Sequence, residues 1–302
     1  MIALLDILAQ TPTADVSGPA QINILQAIVL GIVQGLTEFL PISSSAHLKV
    51  VPIALGWGDP GVAYTAVIQL GSIVAVLWYF WKDLTTITFG AVDAVVRRDY
   101  ESQEFRIALG IALGTIPIIF FGLLIKILIP DFDKSPLRSL GAIAIASIVM
   151  SLLLAIAEKM GKRDRTYEKL TVQDGILMGL AQAIALIPGC SRSGSTLTAG
   201  LFIGLERPAA ARFSFLLGIP AITLAGLVEL KGALGEGMGD AGVVALIVGT
   251  ISAFVFSYLS IAWLMKFLQT QNTWIFVWYR LAFGVAILTA LAGGVLKNPS
   301  LL

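Results

Sequence analysis

The sequence predicts an all-α polytopic membrane protein: six transmembrane helices plus two re-entrant helical hairpins in an inverted-topology repeat. Three observations carry that expectation. Of 302 residues, 57% are hydrophobic and 13% charged, against about a quarter charged in an ordinary soluble domain, and the mean hydropathy is +0.89. Charge-free apolar runs long enough to cross a ~30 Å hydrocarbon core as helices recur along the chain. Two further apolar stretches are too short to cross, are broken by Pro and Gly, and each carries a polar string.

In chain order, residues 1–20 lack a basic segment and place Asp6 and Asp15 among small polar residues, so they read as a short tail and not as a cleavable signal peptide. Residues 21–302 form a single integral membrane domain. The first hairpin comprises residues 22–37, a polar string over 34–47, and residues 48–55. Spans follow at 61–81, 107–125 and 139–157. The second hairpin comprises residues 175–188, a polar string over 188–196, and residues 197–205. Spans at 213–228, 241–265 and 273–296 complete the six. Arg280, near the start of the last, is expected to snorkel to the interface.

If each hairpin returns to the side it entered from, twelve Lys/Arg collect on one side: Lys82 to Arg106, Lys159 to Lys169, Arg207, Arg212 and Lys266. The other side holds Lys49, Lys126, Lys134, Arg138, Lys231 and Lys297. The positive-inside rule makes the first side cytoplasmic and both termini extracytoplasmic. A weak repeat, about 22–128 and about 172–296, fits this topology: Leu30-Gly31-Ile32-Val33-Gln34 recurs as Met178-Gly179-Leu180-Ala181-Gln182, and Leu70-Gly71 as Leu217-Gly218, at an offset near 147. Three crossings between the copies invert the second relative to the first, as in repeat proteins whose sites lie near the midplane. The two polar strings then meet tip to tip.

A formal charge of +1 gives no basic excess for a nucleic-acid partner. One cysteine, Cys190, and one histidine, His47, exclude an internal disulfide and a multi-His metal site, so any metal is oxygen-ligated. Gln34 and Glu38 stand four apart, on one face of a helix that Pro41 ends. A carboxylate with an amide oxygen suits a hard divalent cation, Mg2+ or Ca2+, which needs few protein oxygens when phosphates supply the rest. Ser43, Ser44 and Ser45 either cap the next helix or offer hydroxyls to a substrate, and Ser44 stands three before His47, close enough for an imidazole to take a hydroxyl proton. In the second string, Arg192 follows Pro188-Gly189-Cys190-Ser191 at a helix start, with Ser191, Ser193 and Thr196 beside it. Glycine, a helix N-terminus and a guanidinium make an anion site. The bland alternative is that Glu38 and Arg192 are only each other's counter-ions within the membrane.

Other motifs fail. Gly189 to Ser193 lacks the last glycine of a G-x-S-x-G elbow, no Walker A string exists, and Thr198 stands where a phosphatidic-acid-type phosphatase needs histidine. The two strings, [E/Q]-x-x-x-E followed by a serine run ending in His, and P-G-x-S-R-S-x-x-T, resemble the signatures of the undecaprenyl-diphosphatase (bacitracin-resistance protein A) family, with likeness from about residue 24 to 296. The resemblance implies hydrolysis of undecaprenyl diphosphate to undecaprenyl phosphate, bacitracin resistance, divalent-cation dependence, and a multi-pass protein of the bacterial inner membrane with its site open to the periplasm. It implies Glu38 as the essential acid, Ser44 as nucleophile, His47 as catalytic histidine and Arg192 as phosphate ligand. Gln34 stands where many members have Glu. Partners are then a polyprenyl diphosphate and membrane lipids, with a homodimer open to it. Attack by Ser44, by His47 or by metal-activated water is left undecided by sequence. A transporter or flippase is the rival reading, because broken hairpins in inverted repeats also build transporters.

Overall fold

The computed structural model describes residues 22–129, 132, 135–235 and 240–296. The tail at 1–20, and Lys134 and Lys297 of the charge count, lie outside the described residues. Among the described residues are eleven α-helices and no strand, with one isolated bridge between Arg165 and Leu205. The first short pair is α1 (Ile24–Glu38) and α2 (Ser44–Ala54), followed by α3 (Val62–Tyr79), α4 (Trp81–Arg97), α5 (Gln103–Leu128) and α6 (Leu140–Met160). The second short pair is α7 (Val172–Ala183) and α8 (Arg192–Phe202), followed by α9 (Arg207–Gly235), α10 (Asp240–Thr270) and α11 (Trp274–Ala292).

Five helices are long and apolar enough to span: α5, α6, α11, the Arg207–Val228 part of α9 and the Gly242–Thr270 part of α10. The expected span at 61–81 differs. Its helix bends by 67° into α4, where a loop was expected, and only the bent pair taken together is a sixth candidate. Composition explains the bend: Lys82, Asp83, Asp93 and Arg97 enter the helix while Trp81, Phe89, Val92 and Val96 expose apolar side chains. An amphipathic helix of this kind lies along an interface better than it crosses one.

Both short pairs begin alike. Asn23 and Gln26 form a capping box at α1, and Thr171 and Asp174 form one at α7, 148 positions on. Each satisfies two backbone donors at a helix start. Small residues then allow α1 to press on α10 and α7 on α5, while α3 packs against α9. A Cβ at Gly31 would stand 2.4 Å from the Gly249 carbonyl, and one at Gly179 2.1 Å from the Gly114 carbonyl. Close backbone approach replaces the hydrophobic drive that lipid does not supply, and serines add hydrogen bonds: Ser252 Oγ donates to the Ile28 carbonyl at 3.0 Å and Ser151 Oγ to the Val277 carbonyl at 2.7 Å. Beneath the tips of the pairs, Phe39 meets Phe215 edge-on at 5.3 Å.

Gly179→Ala should therefore destabilise the protein by about 1–3 kcal/mol, the usual cost of overpacking, because the clash is with backbone. Gly122→Ala, whose Cβ would meet only Leu186 at 3.7 Å, should leave thermal unfolding in detergent unchanged. Equal melting temperatures for the two variants would contradict the packing described.

Candidate active site

The two loops that follow α1 and α7 meet. Each ends in a serine N-cap with left-handed backbone, Ser43 at φ 76° and Ser191 at φ 70°. Such a residue stores about 1–3 kcal/mol and persists only where its surroundings over-determine it. The surroundings here centre on Arg280, which corrects the sequence reading: instead of snorkelling it is 1% exposed. Its Nη1 donates to the Pro41 carbonyl at 3.0 Å, its Nη2 to Gly189 and Cys190 carbonyls at 2.8 and 3.2 Å, and its Nε to the Ser147 carbonyl at 3.3 Å. One planar fork thus pins both tips to α6 and α11. The sequence signal that could have found it is its intramembrane charge itself, because an ionisable group facing a bundle interior is functional by default. Ser193 adds a second tie, donating to the Leu40 carbonyl at 3.0 Å.

Where the tips touch, Glu38 is 7% exposed and its carboxylate collects four donors. Oε2 accepts from Ser44 Oγ at 2.6 Å and Gln34 Nε2 at 3.1 Å; Oε1 accepts from Arg192 Nη2 at 3.3 Å and Gln69 Nε2 at 3.4 Å. Four donors fill the lone-pair sites of an ionised carboxylate. Behind it, Gln34 also donates to Ser72, which accepts from Ser257. Ser44 and Arg192, 148 positions apart, are thus bridged by one carboxylate.

Arg192 lies 5.9 Å over the Phe39 ring, and its Nε and Nη1 are buried with no protein partner. A cavity of about 230 Å3 opens beside it, with Glu38, Ser43, Ser44, Ser45 and Ser191 on its polar wall. Ile118, Ala185, Ala221 and Ala225 form the apolar wall. Nη1 packs against Gly218, where a Cβ would stand 1.6 Å away, so these unspent donors, the kind a phosphate uses, reach the cavity only once the guanidinium turns.

Four of the expected site residues stand elsewhere. Gln34 sits behind the carboxylate as a donor and does not line the cavity. Thr196 is fully buried, bonded to Ser214 and to the Arg192 carbonyl at 2.8 Å, so it fixes α8 against α9. Ser193 ties the tips, as above. His47 does not meet Ser44: its Nδ1 lies 2.7 Å from the Ser43 carbonyl and its Nε2 2.6 Å from the Tyr279 hydroxyl, with Phe283 stacked 4.3 Å away. A carbonyl only accepts, so Nδ1 carries the proton and Nε2 accepts from tyrosine. The i,i+3 spacing placed His47 near Ser44 in sequence, but the turn at Ser43 sends the imidazole to α11. Gln69, Tyr279 and Arg280 were not anticipated.

Among the described residues no group of three His, Cys, Asp or Glu could hold a metal. With the 3.4 Å contact from Gln69 released, Glu38 and neighbouring serine hydroxyls would fit a hard ion that takes most of its oxygens from phosphates, and they do not make a protein cage.

Apolar helices that bury a carboxylate, a hydroxyl and half-spent guanidinium donors around one cavity make this an integral membrane protein equipped to act on an anionic group. The chain belongs to the family described as Bacitracin resistance protein BacA, whose profile matches residues 27–286. It is 69% identical over 97% of its length to the undecaprenyl-diphosphatase of Trichormus variabilis, covering 92% of that protein. It is likewise 69% identical to the undecaprenyl-diphosphatase of Synechocystis sp., over 93% of this chain and 86% of that one.

Arg280→Met should separate the tips, because several buried carbonyls lose their donor at about 1–3 kcal/mol each. Thermal stability and phosphate release should fall together, with Arg280→Lys recovering only part of either. Activity retained at a lowered melting temperature would show that the clamp does not position the site.

Proposed function

We propose that this chain is an undecaprenyl-diphosphate phosphatase, releasing the terminal phosphate to leave the monophosphate carrier lipid used in peptidoglycan synthesis, and so conferring bacitracin resistance. Family membership and near-full-length relatives of that name support the substrate. The observation that carries the chemistry is the Glu38 carboxylate shared by Ser44 and Arg192, with two Arg192 donors left over.

The Arg192 guanidinium, turned from Gly218 toward the cavity, holds the terminal phosphate with the donors it does not spend on Glu38. Ser44 Oγ attacks its phosphorus while the hydroxyl proton passes to Glu38, to which it already donates; the bond from phosphorus to the bridging oxygen breaks and the lipid monophosphate leaves with that oxygen. Glu38 gives this proton to the departing monophosphate. It then takes one from the water that attacks phosphoserine, and returns it to Ser44 as inorganic phosphate leaves. His47, with both nitrogens engaged, holds the Ser43 turn. A divalent cation, Mg2+ or Ca2+, would be held by Glu38 in place of its long contact from Gln69, and would supply charge neutralisation. Ser43, Ser45 and Ser191 offer further hydroxyls to the phosphates. A transporter or flippase needs no hydroxyl bonded to a carboxylate beside a guanidinium.

The two short pairs are re-entrant hairpins of an inverted-topology repeat in the bacterial cytoplasmic membrane. Matching capping boxes and the exchanged packing of α1 on α10 and α7 on α5 support this. The site faces the periplasm: at ~1.5 Å per residue, Ala225 on the cavity wall lies about 27 Å along α9 from Arg207, at the basic end.

Arg192→Lys keeps the charge but not the two-pronged grip, and should lower phosphate release from the polyprenyl diphosphate by roughly 100-fold. Glu38→Gln should abolish it. Acid quenching during turnover should trap phosphate on Ser44, detected by mass spectrometry of the peptide. Turnover with no phosphoenzyme, and activity surviving Ser44→Ala, would point to direct attack by water.

A further inference from the structure

The tightly packed glycines of this bundle divide by what a side chain in their place would meet. At Gly31, Gly71, Gly114 and Gly179 the nearest atom to an added Cβ is a backbone carbonyl oxygen of another helix, and the missing side chain lets two helices touch. Gly218, in the interior of α9, is different. The three atoms nearest its missing Cβ are Nη1, Cζ and Nε of Arg192, at 1.6, 2.6 and 3.3 Å. In the repeat Gly218 corresponds to Gly71, whose Cβ would stand 2.1 Å from the Thr250 carbonyl oxygen. One glycine thus brings α3 onto α10, while its counterpart leaves room for a guanidinium. Glycine weakens a helix interior relative to alanine, so this room is made against the preference of α9.

Arg192 rests there with few bonds. Its Nε and Nη1 are buried with no protein partner, whereas buried donors are ordinarily bonded. Nη2 makes one long bond to Glu38, 3.3 Å, and the Phe39 ring lies 5.9 Å from Cζ. Shape holds the guanidinium back more than bonding does. Arg192 also borders the cavity that Ser43, Ser44, Ser45 and Ser191 line, so a turn away from Gly218 can carry its donors to a phosphate.

We propose that Gly218 is a positioning residue: its bare backbone is the niche into which Arg192 withdraws when no phosphate is bound, and the competition between niche and cavity sets how tightly phosphate is held. The inference rests on the phosphatase reading of the site. Apparent affinity is lowered by the fraction of molecules with Arg192 withdrawn, and the same withdrawal after hydrolysis lets inorganic phosphate leave. Gly218→Ala fills the niche. What it displaces is the far end of a flexible side chain, so the guanidinium moves toward the cavity while α9 keeps its path.

The test is the reactivity of Arg192 toward phenylglyoxal, an arginine-selective reagent, in full-length protein in micelles without lipid substrate. Modification is read by mass spectrometry of the peptide, with the exposed Arg97 as internal reference. Gly218→Ala should be modified at Arg192 several-fold faster than the wild type, and inorganic phosphate should protect it at concentrations roughly three-fold or more lower. Damage to the site would weaken phosphate binding, which is the opposite sign. In an Arg192→Gln background, whose side chain has no Cζ or Nη1 to enter the niche, Gly218→Ala should not lower the melting temperature. Unchanged modification, unchanged or weaker protection, or a lowered melting temperature in that background would overturn the proposal. Phosphate release by the wild type tests the phosphatase reading and does not enter this readout, so the two can fail separately.

Discussion

A carboxylate inside an apolar bundle has to be surrounded by donors or give up its charge, and Glu38 is placed accordingly. A lone charge at membrane depth costs about 2.5–3.5 kcal/mol even on lenient scales. Glu38 lowers that cost by drawing donors from four helices, α1, α2, α3 and α8. Those helices come from both halves of the chain. The same contacts that make the charge tolerable therefore bring the candidate nucleophile and the phosphate-binding guanidinium together, and stability and chemistry share one set of hydrogen bonds.

That arrangement uses two near-equivalent scaffolds for unlike tasks. Ser44 and Arg192 each open the short helix after a strained serine cap, 148 positions apart, yet one supplies a hydroxyl and the other a guanidinium. Glu38 has an apolar counterpart in Leu186, while Gln34 matches Gln182, whose amide is fully buried without a protein partner. Equivalent backbones place the groups opposite one another; the side chains differ. Arg280 sits between the tips and binds carbonyls of both, which holds the junction without adding a charge partner that would compete for Glu38 or Arg192.

Much of this was legible in the sequence, because helix periodicity and membrane solvation act locally. Apolar length located the five long helices, and an ionisable residue in each broken stretch marked Glu38 and Arg192. Local spacing placed Gln34 against Glu38. What it could not place were contacts that depend on where distant helices cross. Ser44 and His47 are near in sequence, but the left-handed turn at Ser43 sends the imidazole to Tyr279, 232 positions away. Arg280 read as an interfacial side chain since its partners are backbone carbonyls of two remote loops, which leave no mark on residue identity. The α3–α4 bend was missed because Trp81 continues the apolar run even though the charges after it do not.

The central claim is that Glu38 and Arg192 hold the two halves together as a coupled pair. Its most direct test is a double-mutant cycle on thermal unfolding of the substrate-free protein, using Glu38→Gln, Arg192→Gln and the double variant. Each single substitution leaves its former partner without a counter-charge, so each should destabilise, and the double variant should recover part of the loss, a coupling of about 1 kcal/mol or more. Strictly additive losses would mean that the two groups are merely neighbours, and would contradict the account.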